Sequence, residues 1–472
     1  MATFTNSYTK LAKEMLEQLG QSFKDPVHGQ NDEEGYFWKQ NDGGKTEYAF
    51  EQSGSTVRFG PGVTKEVGHD VLNFKAKNPV VITDKNVKNT TAFKQVEESL
   101  KTLGISYEVF DKIKCEPAVA NAIEAIEFCR NKNFDCFIAV GGGSTIDTTK
   151  AAALYTSNPE ADVYDFFGVP FGKGLLPQNK TLPIIAIPTT SGTGSECTST
   201  AIFDMPEKKC KCGIRVRSIK PHLSLIDPLN VLSMPRNVEI YTGFDILSHA
   251  LESFTNKPYY ERAPRPVKPE FRPTYQGANP IADVWARETL RIVHKYFRRA
   301  VFNPEDIEAK SQMQLAACYA GMGIGNAGVH FCHGLSYPIS SQGKFCSKPY
   351  VDPEYDGHSL IPHGLSVIVT APAVFQFTVW ANPKRHLEAA RILGADLPDN
   401  ASPEQIGETL AEILRSYMKD FKVPNGLSEM GFEKDCFEKL AIAASSGFTN
   451  IFPIETNREI IAKMYELSWK VY

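Results

Sequence analysis

Asp245 and His249 stand four residues apart in the stretch Val238 to Thr255, which reads as a helix. On a helix both side chains project from one face. A carboxylate and an imidazole so placed suit a divalent cation. Two further histidines, His333 and His363, each precede a glycine, in HGLSYP and PHGLSV. The four together offer N and O donors and no thiolate, a set that fits Fe2+ or Zn2+. His330, three before His333, is a rival ligand, and His358 lies in a polar loop and reads as solvated. A single histidine is more often a satisfied core or surface residue, so it is the set that carries weight.

A second group of residues has the chemistry to hold a phosphate. Gly141, Gly142, Gly143 and Ser144, with Asp147, follow the apolar run Phe134 to Val140 and open a helical pattern. Glycines let a phosphate approach the backbone, and a helix N-terminus presents N–H groups and partial positive charge. The bland alternative is a tight turn with a helix cap. Pro188 to Glu196 (PTTSGTGSE) follows another apolar run, and its hydroxyls, Thr189 and Thr190 among them, suit a ribose or pyrophosphate. Taken alone it reads equally as a polar surface loop. Asp84 ends an early strand, where an acid bonds ribose hydroxyls and disfavours a 2′-phosphate, which points to NAD over NADP. Strand-end aspartates also simply cap turns. Gly323, Gly325 and Gly328 match the dinucleotide fingerprint letter for letter, but they follow a helical run, not a strand. They are read as small residues for close packing or a helix end. A divalent ion and a nicotinamide together imply hydride transfer between a carbinol and a carbonyl, with no separate nucleophile.

These residues need a frame, and the chain supplies two textures. Strands at 55–59, 79–83, 106–110, 134–140 and 182–187 alternate with helices at 63–74, 90–103, 118–130 and 145–155. That alternation predicts a mostly parallel sheet covered by helices. After Pro235 the strand-like runs disappear, and helices follow at 238–255, 282–301, 307–322, 383–393, 403–420 and 457–471. The expected division is an N-terminal extension over 1–44, an NAD-binding α/β domain over 45–235 and a helical metal-binding domain over 236–472. The boundary lies near Met234–Pro235. Two long loops, Lys257 to Pro280 with six prolines and the polar stretch Ser340 to Pro362, interrupt the helical half. Each exceeds the roughly 12–15 residues of an ordinary connection.

Composition narrows the class. The chain has 472 residues, a formal charge of −4 and 42% hydrophobic residues. No basic block suggests nucleic acid, and no apolar run reaches the ~18 residues of a membrane span. Small molecules are the expected partners, with neither nucleic acid nor membrane, and a homo-oligomer is left open. The ten cysteines are scattered, with Cys210 and Cys212 the nearest pair, and are expected to be reduced thiols. Residues 1–57 contain no arginine and several acids, unlike a mitochondrial presequence, although Tyr8 to Leu19 reads as a short amphipathic helix.

GGGSTIDTTK, PTTSGTGSE, the Asp245/His249 helix and the two His-Gly sites resemble the iron-dependent alcohol dehydrogenase family over about residues 45–472. The resemblance implies a Rossmann-like α/β nucleotide-binding domain followed by an all-α metal-binding domain, the dehydroquinate synthase-like architecture. It assigns the metal to Asp245, His249, His333 and His363. NAD falls to Asp84, Gly142, Gly143, Ser144, Asp147, Thr189, Thr190 and Lys211. YAFE (Tyr48 to Glu51), GFDILSHALES (Gly243 to Ser253), RPTYQGANPI (Arg272 to Ile281) and GNAGVHFCHGLSYPIS (Gly325 to Ser340) are similar to a transhydrogenase subgroup of that family. That subgroup implies oxidation of 4-hydroxybutyrate to succinate semialdehyde coupled to reduction of 2-oxoglutarate to 2-hydroxyglutarate, with NAD retained. Fe2+ is the expected metal and Zn2+ the alternative. The mitochondrion is the implied compartment, with the cytoplasm as the alternative because no typical presequence is seen.

Many members of the wider family carry a further histidine, four after the third ligand, that relays protons. Tyr337 stands there instead, as in the subgroup, and a phenol with a pKa near ~10 is a poorer base. Carboxylate substrates call for a cation, and the proline-rich loop offers Arg262, Arg265, Lys268 and Arg272. Arg272 is the expected carboxylate ligand, since a guanidinium binds carboxylate bidentately. The competing readings are an NAD-linked alcohol dehydrogenase that releases its cofactor, a lyase resembling dehydroquinate synthase, and a metal-stabilised binding protein without turnover.

Overall fold

The computed structural model describes residues 8–21, 45–355, 359–445 and 451–472. His358 and most of the expected extension over 1–44 lie outside the described residues. The chain divides into two compact units. One is Ser53–Ile246 with Arg299–Gly325, and the other is Met1–Gln52, Leu247–Arg298 and Asn326–Tyr472.

The first unit is built on β1 (Thr56–Phe59), β2 (Pro79–Ile82), β3 (Glu108–Phe110), β4 (Cys136–Gly141), β5 (Ile184–Pro188), β6 (Thr200–Met205), β7 (Cys210–Arg215) and β8 (Leu223–Ile226). Six of these form an all-parallel sheet in the order β1-β8-β5-β4-β2-β3. The central strands PVVI, CFIAVG and IIAIP are buried throughout, as expected where helices cover both faces. Alternate residues of β2 serve opposite faces. Val81 packs with Val67, Val71, Phe93 and Leu100, whereas Val80 and Ile82 pack with Ala125, Cys129 and Ala152. The chain steps from β2 outward to β3, returns across β2 to β4, then continues outward through β5 to β8. Direction therefore reverses between β2 and β4, the place where open α/β sheets present ligand crevices at their strand carboxyl ends. The Thr83 hydroxyl ties the two strands there by donating to the Val140 carbonyl at 2.8 Å.

β6 and β7 form a separate antiparallel hairpin that the sequence reading did not anticipate. Its lysine-rich turn, with Lys209 at φ 52°, masks the alternation of the strands on either side. Cys210 and Cys212 are buried on β7. All ten cysteines are free thiols.

The second unit is helical. Its helices include Pro280–Phe302 in part, Phe331–Gly343, His363–Ile368, Ala371–Thr378, Pro383–Ile392, Pro403–Phe421, Phe437–Ser445 and Arg458–Leu467. Pro403–Phe421 begins with a reciprocal cap between Ser402 and Gln405. The expected N-terminal helix is present as Tyr8–Gln18 and packs here, with the Trp380 indole donating to the Thr9 carbonyl at 3.1 Å.

Two expected boundaries shift. The division between units falls within the continuous helix Arg236–Thr255, at Ile246/Leu247, not at Met234–Pro235. The segment Arg299–Gly325, expected in the helical half, belongs with the sheet because its small residues meet the loop after β5. A Cβ at Gly321 would sit 2.4 Å from the Gly194 carbonyl oxygen, and one at Gly325 would sit 3.2 Å from that of Cys197. Gly328, at φ +82°, leaves no room beside Tyr275. The letter-perfect fingerprint thus lies in and just after a helix and serves packing.

Candidate functional site

The helix Arg236–Thr255 presents Asp245, His249 and Glu252 as successive members of one stripe. The division into units passes through this helix, so its own pitch sets Asp245 one turn from His249. His333 lies in the first turn of Phe331–Gly343, and His363 opens the helix His363–Ile368. One ligand atom each from Asp245, His249 and His333 lies within 4.8 Å of the others. These three side chains belong to residues only 2–4% exposed. The rings of His249 and His333 stack with centroids 4.6 Å apart and 11° between planes. The His363 ring stands edge-on to His333 at 5.3 Å, and His363 is half-buried.

Glu252 accounts for the orientation of His333. Its carboxylate accepts the backbone N–H groups of His330 (3.2 Å), Cys332 (2.6 Å) and His333 (3.3 Å), and its second oxygen takes the His333 Nδ1. The carboxylate therefore sits at a helix N-terminus, where the helix dipole favours negative charge. Burial alone would raise its pKa, but His333, His330 and these hydrogen bonds overcome burial and hold it at about 2. With Nδ1–H given to Glu252, the His333 Nε2 keeps its lone pair for a cation. Sequence reading passed over Glu252, although its spacing from His249 was the available signal.

His330 is excluded as a rival ligand. Its Nδ1 accepts the Phe331 N–H at 2.7 Å, its Nε2 meets the Thr255 hydroxyl at 2.9 Å, and Phe331, Phe375 and Phe452 surround it. Burial pushes its pKa down to about 4, so it is a neutral core residue. Tyr337 lies one turn beyond His333 on the same helix and is half-buried. Arg272 meets a different carboxylate from the one expected. Its Nε and Nη2 reach the two oxygens of fully buried Glu47 at 3.0 and 3.1 Å, and Arg262 adds a third bond at 2.8 Å. A substrate carboxylate would have to displace Glu47, so the structure assigns Arg272 to the scaffold.

In the sheet unit, Gly142 is the N-cap of the helix Gly143–Ser157, and its carbonyl accepts the Thr145 and Ile146 N–H groups at 3.0 and 3.1 Å. The glycines also serve packing. A Cβ on Gly142 would meet the Thr190 side chain at 3.1 Å, and one on Gly143 would clash with Thr193 at 2.6 Å. The two loops are further joined by the Thr189 N–H, which donates to the Gly141 carbonyl at 3.1 Å. Asp147 faces the chain itself: one oxygen takes the Ser195 hydroxyl and the other accepts the Ile202 N–H at 2.9 Å. Beside it, fully buried Lys150 donates to Ser195 Oγ (2.7 Å), Thr198 Oγ1 (3.1 Å) and the Thr200 carbonyl (2.8 Å). Burial draws the Lys150 ammonium below its ordinary range while Asp147 opposes this. Asp147 thus shapes the loop after β5, and Lys150, missed in the sequence, is the centre of that shaping. Its signal was a lone lysine inside TTKAAAL. Asp84 Oδ1 caps the following turn through the N–H groups of Asn86 (2.8 Å) and Val87 (2.9 Å). Lys211 on β7 is paired with Glu116.

The donors fit the implied groups. One carboxylate and three imidazoles, His333 among them oriented by a second carboxylate, are ligands of Fe2+ or Zn2+ type. A capped helix N-terminus at the reversal of strand order, flanked by threonine hydroxyls, fits a dinucleotide phosphate.

The iron-containing alcohol dehydrogenase family model matches residues 54–228, and the Fe-containing alcohol dehydrogenase family C-terminal model matches residues 274–469. The chain belongs to the iron-containing alcohol dehydrogenase family and is an oxidoreductase of that family. It is 60% identical over 430 residues to the mitochondrial hydroxyacid-oxoacid transhydrogenase of Caenorhabditis briggsae, covering 90% of this chain and 92% of that protein. Identity to the protein of the same name from Homo sapiens is 48% over 433 residues, covering 91% and 92%. Among solved structures, a 1,3-propanediol oxidoreductase superposes with a TM-score of 0.76 at 25% identity, covering 89% of this chain and 100% of that one. An Oenococcus oeni alcohol dehydrogenase superposes with a TM-score of 0.75 at 26% identity, with the same coverage. No described helix is long and apolar enough to cross a membrane.

Proposed function

We propose that this chain is a hydroxyacid-oxoacid transhydrogenase. It oxidises 4-hydroxybutyrate to succinate semialdehyde and reduces 2-oxoglutarate to 2-hydroxyglutarate, with one NAD retained between the two half-reactions. The observation that carries the reading is the buried cluster of Asp245, His249 and His333 held by Glu252, in a chain whose relatives bear that activity in their names. When bound, the divalent ion supplies Lewis-acid polarisation of the substrate oxygen and the dinucleotide supplies a reversible hydride carrier.

The chain's own residues do the rest. Asp245, His249, His333 and His363 would hold Fe2+, with Zn2+ the alternative. The burial of Asp245, His249 and His333 limits the access of bulk water to the reacting oxygen. Glu252 keeps the His333 ring in one tautomer. Tyr337 is the proposed proton carrier, taking or giving the hydroxyl proton one helical turn from His333. The Gly142–Ser144 turn, Thr189 and Thr190 would hold the dinucleotide, and Asp84 its ribose. Hydride leaves one hydroxy acid and enters one oxo acid, so the two half-reactions balance without net cofactor consumption. The relatives carry a mitochondrial designation, and the same compartment is proposed for this chain.

The test is to incubate purified protein with 4-hydroxybutyrate and 2-oxoglutarate and no added NAD. Stoichiometric succinate semialdehyde and 2-hydroxyglutarate support the transhydrogenase. Strict dependence on added NAD selects an alcohol dehydrogenase with exchanging cofactor. Metal analysis of the same preparation distinguishes Fe2+ from Zn2+.

A further inference from the structure

Glu116 has no place in the reading above, yet it lies among residues that do. It sits in the segment after β3, at φ 52°, a left-handed conformation that a glutamate seldom adopts. Such strain persists only where surrounding contacts hold it, and it concentrates at functional sites. Those contacts are present. The Glu116 N–H donates to Ser144 Oγ, in the first turn of Gly143–Ser157, at 3.2 Å. The Glu116 carboxylate pairs with the Lys211 ammonium on β7, and the two side chains are only 18% and 5% exposed. Just beyond, the Asp204 N–H on β6 donates to the Pro117 carbonyl at 2.9 Å, and Ala118 forms a bridge with Asp204. One short segment therefore joins the glycine turn to the hairpin.

The charges have a consequence for an anionic ligand. A helix N-terminus and a largely buried ammonium would together attract a phosphate. Here the chain supplies its own anion to that ammonium. We propose that Glu116 is an internal counter-anion, which a bound dinucleotide must displace from Lys211, so that Glu116 weakens the hold on the cofactor. This rests on the nucleotide reading of the Gly142–Ser144 turn. The role is one of setting affinity. Glu116 acts through Lys211, and its N–H, not its carboxylate, holds the Ser144 hydroxyl.

The experiment titrates NADH into the wild-type chain freed of resident nucleotide, and into Glu116→Gln, Glu116→Gly, Lys211→Met and the double variant Glu116→Gln/Lys211→Met treated alike, followed by energy transfer from tryptophan. Glycine tolerates the positive φ and keeps the N–H, so Glu116→Gly removes the side chain with its charge while the backbone bond to Ser144 can remain. Both Glu116 variants are expected to bind NADH more tightly, on the order of five- to tenfold, because the Lys211 ammonium no longer has to leave an internal anion before it meets the phosphate. The gain is expected to disappear in the Lys211→Met background and to shrink at high salt. A merely structural role for Glu116 would weaken binding in both variants. Unchanged or weaker NADH binding by Glu116→Gly, with melting temperature retained, overturns the proposal. Wild type that fails to bind NADH sinks the nucleotide reading and this proposal together.

Discussion

Among the described residues, two clusters of metal-type side chains are buried, and they differ in what surrounds them. Asp245, His249 and His333 form one, and Glu196, Cys197 and Cys318 the other. In the first, Glu252 satisfies His333 and three backbone N–H groups, so the donors are oriented. In the second, the thiols lie 3.7 Å apart in an apolar cluster with Ile226, and the Glu196 carbonyl accepts the Ser55 and Ser224 hydroxyls. The contact with Cys197 and burial hold the Cys318 thiol well above its ordinary range, and a thiol ligates metal only as thiolate. Burial likewise pushes Glu196 up to about 7. Proximity of ligand types therefore does not make a centre. What distinguishes the first cluster is a second carboxylate that pre-sets protonation and ring orientation. The second cluster instead seats the loop after β5 on the helix Ile307–Ala327.

The sharpest way to break this contrast is to remove a ligand. His249→Ala is expected to abolish bound metal and lower turnover by on the order of 10³-fold or more, with circular dichroism unchanged. Metal content equal to wild type would transfer the centre elsewhere. Glu252→Gln keeps the shape but loses the charge on His333, and metal affinity is expected to fall about 10–100-fold in a chelator competition. An unchanged affinity would reduce Glu252 to a helix cap. Cys197→Ala and Cys318→Ala should each leave metal content and kcat intact while costing about 1–2 kcal/mol in denaturant melts, the usual result of small core deletions. Metal loss in either would restore the thiol cluster as a second centre.

The smallest effect is a pH dependence of opposite sign in the two units. In the helical unit, burial pushes His386 down to about 3, and its ring meets the Thr378 hydroxyl and the Asn382 carbonyl. Between pH 6.5 and 3 the unfolded chain binds the extra proton, so this residue's contribution is complete above pH 6.5 and is lost as pH falls. Glu196 behaves inversely. Its raised pKa means that the folded chain holds the proton between pH 4.5 and about 7, so its contribution is present below pH 4.5 and lost as pH rises through 7. Each is worth at most about 1.4 kcal/mol per pH unit. Melting temperatures from pH 4 to 8 should fall less on the acid side for His386→Gln and less on the alkaline side for Glu196→Gln. Parallel curves for wild type and either variant would contradict that assignment.

Periodicity made much of this legible. Strands β1 to β5 and most of the long helices were readable because burial on both faces imposes continuous apolar runs and burial on one imposes helical spacing. Asp245 and His249 were readable as a pair because a single helix fixes their relation. The β6–β7 hairpin was not, since a lysine-rich turn hides its alternation, and β8 was not read from the sequence either.

Local pattern by itself determined the elements, the family motifs and the kinds of donor available to a cation and a phosphate. Tertiary structure alone decided which donors meet and what occupies each charge. It brought His333 to His249, gave His333 to Glu252, and set His330 among phenylalanines. It supplied Arg272 with Glu47, 225 residues earlier in the chain, where sequence reading had placed a substrate. The reason is physical: a side chain's type travels with the sequence, but its ionisation and its partner depend on burial and on groups that only folding brings within a few ångströms.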